Sequence, residues 1–212
     1  MAKVYFRYAT VAAGKSLDLL KVAHNYRKQE RDIILLTSAV DDRTELGVIT
    51  SRVGLKEFAI AIRAEDTIID KCIAHTALYT DVTLSEISCI LVDEAQFLTS
   101  HHIEELCWIA DNYNVPVIAY GLKNDFKNEL FPGSESLLVL ADSIEEIKTT
   151  CTECNKKATM SMRKINGKPV FHGEQVDIGW DDKYIPLCRK HYLENKGTVE
   201  EETLKWNGYR SY

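Results

Sequence analysis

The chain reads as an α/β protein, a parallel sheet with helices on both faces, joined to a small C-terminal domain. Three observations predict this. Strand and helix patterns alternate up to about residue 149 of the 212. The run Asp32-Ile33-Ile34-Leu35-Leu36-Thr37 is continuously apolar at its centre, as in a strand covered on both faces. From Lys148 onward the strong apolar runs stop, and Gly, Lys, Asp and Cys take over. The expected domains are therefore 1–149 and 150–193, with 194–212 a charged tail whose end frays.

Val4-Tyr5-Phe6 is the first strand. Ser16–Lys28 is an amphipathic helix, with Leu17, Leu20, Val22 and Ala23 set against Asp18, Lys21 and Asn25. Asp32–Thr37 is the second strand. Residues 41–54, with Asp41-Asp42-Arg43 at one end and Ser51-Arg52 at the other, are polar and mixed. They read as a mobile loop, either a solvated surface or a lid whose arginine approaches a triphosphate. Ile87–Val92 and Val115–Tyr120 are further strands, and Glu146-Ile147-Lys148 is another. Thr99 or Ser100 caps a helix running through Glu104, Leu106, Ile109 and Ala110. Strand, helix and strand in succession demand a right-handed crossover. Ligands of such sheets sit at the carboxyl ends of the strands.

Three motifs lie at those ends. The first is Ala9-Thr10-Val11-Ala12-Ala13-Gly14-Lys15-Ser16. A phosphate loop usually reads G-x-x-x-x-G-K-[ST]. Ala9 replaces its first Gly, whereas Gly14 keeps the second, where the chain turns into the helix. Backbone N–H groups of such a loop wrap phosphates, Lys15 supplies charge, and the Ser16 hydroxyl can reach Mg²⁺. The second motif is Ile90-Leu91-Val92-Asp93-Glu94-Ala95-Gln96-Phe97, an apolar strand ending in two carboxylates. One carboxylate suits the metal side, and the other is free to act as a base. The third, Gly121–Phe126, follows another strand. Together they predict a sheet of the P-loop NTPase type that binds a nucleoside triphosphate with Mg²⁺ and moves its terminal phosphoryl group.

The net charge of −6 argues against a dedicated nucleic-acid binder, which needs a basic footprint. No run approaches the length of a membrane span. Lys3, Tyr5 and Arg7 interrupt the N-terminal segment, so no signal peptide is expected. The expectation is a cytoplasmic protein with neither membrane nor nucleic acid as partner, and a disulfide framework is not expected there. Cys89 and Cys107 read as small core residues.

Cys151-Thr152-Glu153-Cys154 and Cys188-Arg189-Lys190-His191 form the pattern C-x₂-C…C-x₂-H. Two such turns complete a tetrahedron, and thiolates with one imidazole favour Zn²⁺. Four protein ligands leave no open position, so the zinc is structural. A redox C-x-x-C pair would leave Cys188 and His191 unexplained. The stretch 155–187 is too polar to fold by burial alone, and the metal pins its two ends. Gly167, Gly173 and Gly179 supply bends. The stretch is either a plain zinc-ribbon hairpin or a loop that closes over a substrate.

These motifs resemble those of the cellular-type (type II) thymidine kinases. The resemblance rests on Asp93-Glu94-Ala95-Gln96-Phe97, Gly121-Leu122-Lys123-Asn124-Asp125-Phe126, Leu130-Phe131-Pro132-Gly133-Ser134 and the Cys/His cluster. Gly173-Glu174-Gln175-Val176-Asp177-Ile178-Gly179-Trp180 with Tyr184 is similar to the family's lasso loop. Order and spacing hold from about residue 4 to 192. The C-x₂-H knuckle and Ser51-Arg52-Val53-Gly54-Leu55 look like the bacterial branch. Val11 stands where the family often carries Met, and Trp180 where a second Gly is common.

The resemblance implies that ATP phosphorylates the 5′-hydroxyl of thymidine (deoxyuridine being a further substrate) in nucleotide salvage for DNA synthesis. It implies Glu94 as general base and Mg²⁺ held by Ser16 and Asp93. ATP is bound by Ala9, Thr10, Val11, Ala12, Ala13, Gly14, Lys15 and Ser16, with Asp93, Glu94, Ala95, Gln96 and, from the loop, Arg52. Phe97, Phe126 and Tyr184 line the nucleoside pocket, and the backbone of Val176, Asp177, Ile178 and Gly179 lies beside the base. It further implies a homotetramer and feedback inhibition by thymidine triphosphate.

Two other classes compete. Asp93-Glu94-Ala95-Gln96 superficially resembles a helicase box, which suggests a P-loop ATPase acting on nucleic acid. The chain is short and acidic for that role. A non-catalytic zinc-ribbon protein acting with nucleic acid is the other, against which Glu94, Lys15 and Ser16 argue.

Overall fold

A computed structural model describes residues 1–40, 46–175 and 184–199. Strands β1 (Val4–Ala9), β2 (Ile33–Ser38), β5 (Ile60–Ile62), β6 (Cys89–Asp93), β7 (Val117–Leu122) and β8 (Ser143–Glu146) form one sheet in the order β5-β2-β6-β7-β1-β8. Every pairing in it is parallel. The helices are α1 (Lys15–Lys28), α2 (Ile68–Tyr79), α3 (Ser100–Tyr113) and α4 (Pro132–Leu140).

The two-residue period of the strands divides the core. Ile34, Leu36, Ile90, Val92, Val117 and Ala119 pack toward Ile68 and Cys72 of α2, Ile103, Leu106 and Ile109 of α3, and Leu137 of α4. The alternate residues Leu35, Cys89, Leu91 and Tyr120 pack toward Leu19, Leu20 and Ala23 of α1. Helices thus cover both faces, as the apolar run of β2 predicts.

Some elements differ from expectation. β1 continues to Ala9, because parallel pairing with β7 runs on from Val4–Val117 to Ala9–Leu122. β7 starts at Val117, after Pro116, which has no N–H to give a ladder. The last strand of the sheet is Ser143–Glu146 rather than Glu146–Lys148. The segment expected as a loop through 54 contains β3 (Val48–Thr50), which pairs antiparallel with β4 (Lys56–Phe58), whereas 41–45 lie outside the described residues. Ile49 is buried among the α1-side core, which is what holds this hairpin down.

The C-terminal part is a three-stranded antiparallel sheet, β10-β9-β11, made of β9 (Met160–Ile165), β10 (Lys168–Val170) and β11 (Tyr184–Leu187). Helix α5 (Arg189–Val199) follows and runs beyond residue 193. Asn166 and Gly167 join β9 to β10 with φ of 51° and 77°. A two-residue hairpin of the favoured twist needs positive φ at both positions, and Asn-Gly supplies it.

Candidate active site at the carboxyl ends of the strands

The loop after β1 meets α1 at Gly14, whose φ of 80° and ψ of 25° lie in the left-handed region. Ala12 also has positive φ, 60°, a conformation the sequence does not advertise. Among the described residues no side chain caps α1, so the first-turn N–H groups face the loop. Lys15 is buried, and Ser16, one residue on, is half-buried.

β6 ends on Asp93, and the next residue, Glu94, has φ 50° and ψ 39°. For a residue with a side chain this conformation costs on the order of 1–2 kcal/mol. It turns the chain from strand into the 3₁₀ turn Ala95–Phe97 within a single residue. Both carboxylates are buried. Asp93 accepts a hydrogen bond from the Glu94 N–H at 3.0 Å and another from the Ser16 hydroxyl. Burial and the neighbouring Glu94 push the Asp93 carboxyl well above its ordinary value, against the pull of Ser16 and Lys15. Lys15, Ser16, Asp93 and Glu94, predicted from two motifs 78 residues apart, thus form one cluster.

Gln96 is fully buried. Its carboxamide oxygen accepts the Leu122 N–H at 2.9 Å, and its nitrogen donates to the Glu94 carboxylate. Two glycines make room for this turn. A Cβ on Gly121 would lie 2.8 Å from the Gln96 Oε1, and one on Gly133 would lie 2.3 Å from the Ala95 carbonyl oxygen. The Ser134 hydroxyl donates to the Leu122 carbonyl, tying α4 to the same strand end.

Phe97 meets Phe131 edge-on, with ring centroids 5.6 Å apart. Phe126 is buried, 6.3 Å from the ring of Tyr184, and the Arg163 guanidinium lies over the Phe126 ring, 5.3 Å from its centroid. The predicted pocket aromatics Phe126, in the loop after β7, and Tyr184, at the start of β11, are therefore neighbours. Val176, Asp177, Ile178 and Gly179 lie outside the described residues, as does Trp180. Arg52 is exposed on the turn between β3 and β4.

Sequence reasoning missed Ser161, Arg163 and Tyr192, which tie the C-terminal part to the site. The Val11 N–H donates to the Ser161 hydroxyl at 3.2 Å. The Tyr192 hydroxyl donates to the Phe126 carbonyl at 2.7 Å. Ser161 and Arg163 alternate with apolar Met160 and Met162 along β9, a period-2 signal that marks a strand but does not say what its faces meet.

The Sγ atoms of Cys151, Cys154 and Cys188 and a ring nitrogen of His191 all lie within 4.8 Å of one another. Cys154 and Cys188 sulfurs are 3.9 Å apart, and His191 Nδ1 is 3.4 Å and 3.6 Å from the sulfurs of Cys151 and Cys188. Zinc–sulfur bonds of about 2.3 Å in a tetrahedron put sulfurs about 3.8 Å apart. The donor set and its spacing therefore fit a structural zinc. Although burial opposes it, the His191 ring and the backbone N–H groups of Cys188, Glu153 and Cys154 bring the Cys151 thiol down to about 6. That favours the thiolate a metal needs.

The family model for thymidine kinase matches residues 2–192. The chain belongs to the thymidine kinase family. It is 50% identical over 194 residues to the thymidine kinase of Lactococcus lactis subsp. lactis, covering 92% of this chain and 98% of that one. The thymidine kinase of Streptococcus gordonii is 49% identical over 194 residues, 92% and 97% of the two chains. That of Enterococcus faecalis is 47% identical over 202 residues, 95% and 100%. The crystal structure of the Pif1 helicase from Candida albicans overlaps 69% of this chain and 36% of its own, at TM-score 0.41 and 12% identity, too distant a likeness to bear on function. Among the described residues no helix is long and apolar enough to cross a membrane.

Proposed function

We propose that the protein is an ATP-dependent thymidine kinase that transfers the γ-phosphoryl group of ATP to the 5′-hydroxyl of thymidine. The observation that carries the reading is the cluster of Lys15, Ser16, Asp93 and Glu94, in a chain whose family model spans residues 2–192. The bond between the γ-phosphorus and the bridging oxygen to the β-phosphate breaks. A bond from the thymidine 5′-oxygen to that phosphorus forms. The hydroxyl proton passes to Glu94, leaving thymidine monophosphate and ADP. Such transfers rest on positioning and charge neutralisation, with one acceptor for the proton.

The loop Ala9–Ser16 and the turn Asp93–Gln96 hold the nucleotide, with Lys15 neutralising phosphate charge and Arg52 adding to it. Two adjacent buried carboxylates with a serine hydroxyl are a hard oxygen donor set, and the burial and neighbouring Glu94 charge that raise the Asp93 carboxyl are what a divalent cation would offset. Ser16 and Asp93 would hold Mg²⁺, which when bound offsets charge on the phosphates. Phe97, Phe126 and Tyr184 enclose the nucleoside, and the backbone at 176–179 reads the base. The zinc is structural. The division at 149 and 193, a homotetramer, feedback inhibition by thymidine triphosphate, use of deoxyuridine and a cytoplasmic role in salvage for DNA synthesis belong to the same reading. Exposed Trp108, Val139 and Leu140 offer apolar surface for assembly.

The test is ATP consumption with Mg²⁺, with and without thymidine, in the wild type and Glu94→Gln. Thymidine-dependent turnover that collapses in the variant supports kinase and base together. Turnover stimulated by nucleic acid and indifferent to thymidine would favour the ATPase reading instead.

A further inference from the structure

The Gln96 side chain joins the end of β7 to the carboxylate proposed as base at the end of β6. We infer that Gln96 is a positioning residue, which aims the Glu94 carboxylate by holding it to the backbone of Leu122. The inference rests on the kinase reading above and adds a part to it.

The orientation of the carboxamide follows from its neighbours. A backbone N–H can only donate, so the Leu122 N–H at 2.9 Å requires the Gln96 oxygen. The nitrogen must then face Glu94, where it donates to Oε2. The side chain is fully buried, and the absence of a Cβ at Gly121 makes room for it, since a Cβ there would lie 2.8 Å from Oε1. Leu122 is itself fixed from both sides, its N–H by Gln96 and its carbonyl by the Ser134 hydroxyl. Gly133 lets α4 close over the back of the turn, so the turn cannot swing outward. Glu94 stands in a left-handed conformation on a one-residue corner, whose backbone leaves the rotatable side chain to be supported by its contacts. A rigid amide anchored to the neighbouring strand supplies that support. The carboxamide of Gln96 is thus committed to Glu94 and Leu122, which leaves the contact of this turn with the nucleotide to its backbone.

A double-mutant cycle tests this. Gln96→Met keeps the length and removes both hydrogen bonds. It is measured in the wild type and in Glu94→Gln, with thymidine-dependent ADP formation, both KM values, the zinc content and the melting temperature. The expected result is a kcat lowered about ten- to a hundred-fold, part of what a general base contributes, with KM for ATP and thymidine within about twofold. In the Glu94→Gln background the same change costs less than about threefold, because a residue acting through Glu94 has nothing left to aim. An equal loss in both backgrounds would overturn the inference and leave Gln96 a merely structural residue. A raised KM for ATP with kcat retained would overturn it in favour of a nucleotide contact. If Gln96→Met does not fold, Gly121→Ala, which displaces the carboxamide without removing it, is read by the same criteria. A wild type without thymidine-dependent turnover defeats the kinase reading itself, and is seen before any variant is compared.

Discussion

Lys15, Glu94 and Gly133 are three residues whose replacement separates charge, chemistry and space. Lys15 is buried at the mouth of α1, beside Asp93. Lys15→Met removes the positive charge from that cluster, so ATP turnover should fall at least tenfold with a raised KM for ATP. Steady-state kinetics against ATP at saturating thymidine would show it, and an unchanged KM would count against a phosphate role. Glu94→Gln should lower kcat by about 10²- to 10⁴-fold, the range of a general base, with ATP still bound in a dialysis or calorimetric titration. Gly133 makes no chemistry. Its Cβ would stand 2.3 Å from the Ala95 carbonyl and 2.8 Å from that of Leu98, both of them backbone. Gly133→Ala should therefore destabilise the protein by about 1–3 kcal/mol, the cost of overpacking, read as a shift in the urea midpoint. A variant as stable as wild type would mean that α4 can slide off the turn.

Helices α1 and α3 show how local devices fix whole elements. Thr99 caps α3, its hydroxyl accepting the His102 N–H at 3.2 Å while His102 Nδ1 accepts the Thr99 N–H at 3.3 Å. At the other end Asn114 takes φ of 58°, the left-handed stop that Asn tolerates. Thr99→Ala should cost about 1 kcal/mol, the usual worth of a cap, measured by denaturant unfolding. Asp18, in the first turn of α1, ties the helix to the sheet. Its carboxylate accepts from Tyr120 at 3.0 Å and pairs with Arg7 at 3.3 Å and with Lys21. Burial works against its charge, but Lys21, Tyr120 and Arg7 hold the carboxyl below its ordinary value. A lowered folded-state value means that the stabilisation is complete above the unfolded value near 3.9 and is lost as pH falls through the folded one. The gap in stability between wild type and Asp18→Asn should be open at pH 6 and close below about pH 4. A gap independent of pH would remove the ionic part of the tie.

Across the whole molecule, hydrogen bonds tie the part that holds the Cys/His cluster to loops at the ends of the parallel sheet. Among the described residues the hydrophobic cluster of the C-terminal part has five buried members, two of them Cys151 and Cys188, so a bound metal supplies much of what holds it. Tyr192 follows His191 and donates to the Phe126 carbonyl, and Ser161 accepts from Val11 in the phosphate loop. Stripping zinc with a strong chelator, or Cys151→Ser, should therefore lower thymidine turnover as well as the melting temperature, with zinc content and activity falling in step. Activity retained at full in metal-free protein would break that link.

The alternation of strand and helix, the place of Gly14-Lys15-Ser16 after β1 and of Asp93-Glu94 at the end of β6, and the C-x₂-C…C-x₂-H spacing are local facts. Periodicity and short-range spacing encode them, so the sequence by itself determined the α/β class and which residues stand at strand ends. It also determined the Cys/His quartet, because each pair lies within one turn. The order β5-β2-β6-β7-β1-β8, the left-handed corner at Glu94, the grip of Gln96 on Leu122 and the seating of β9 and α5 against the phosphate loop and Phe126 were decided only by the tertiary structure. Each of these joins residues far apart in the chain, and its stability comes from burying and hydrogen-bonding both partners at once, a condition that no segment carries alone.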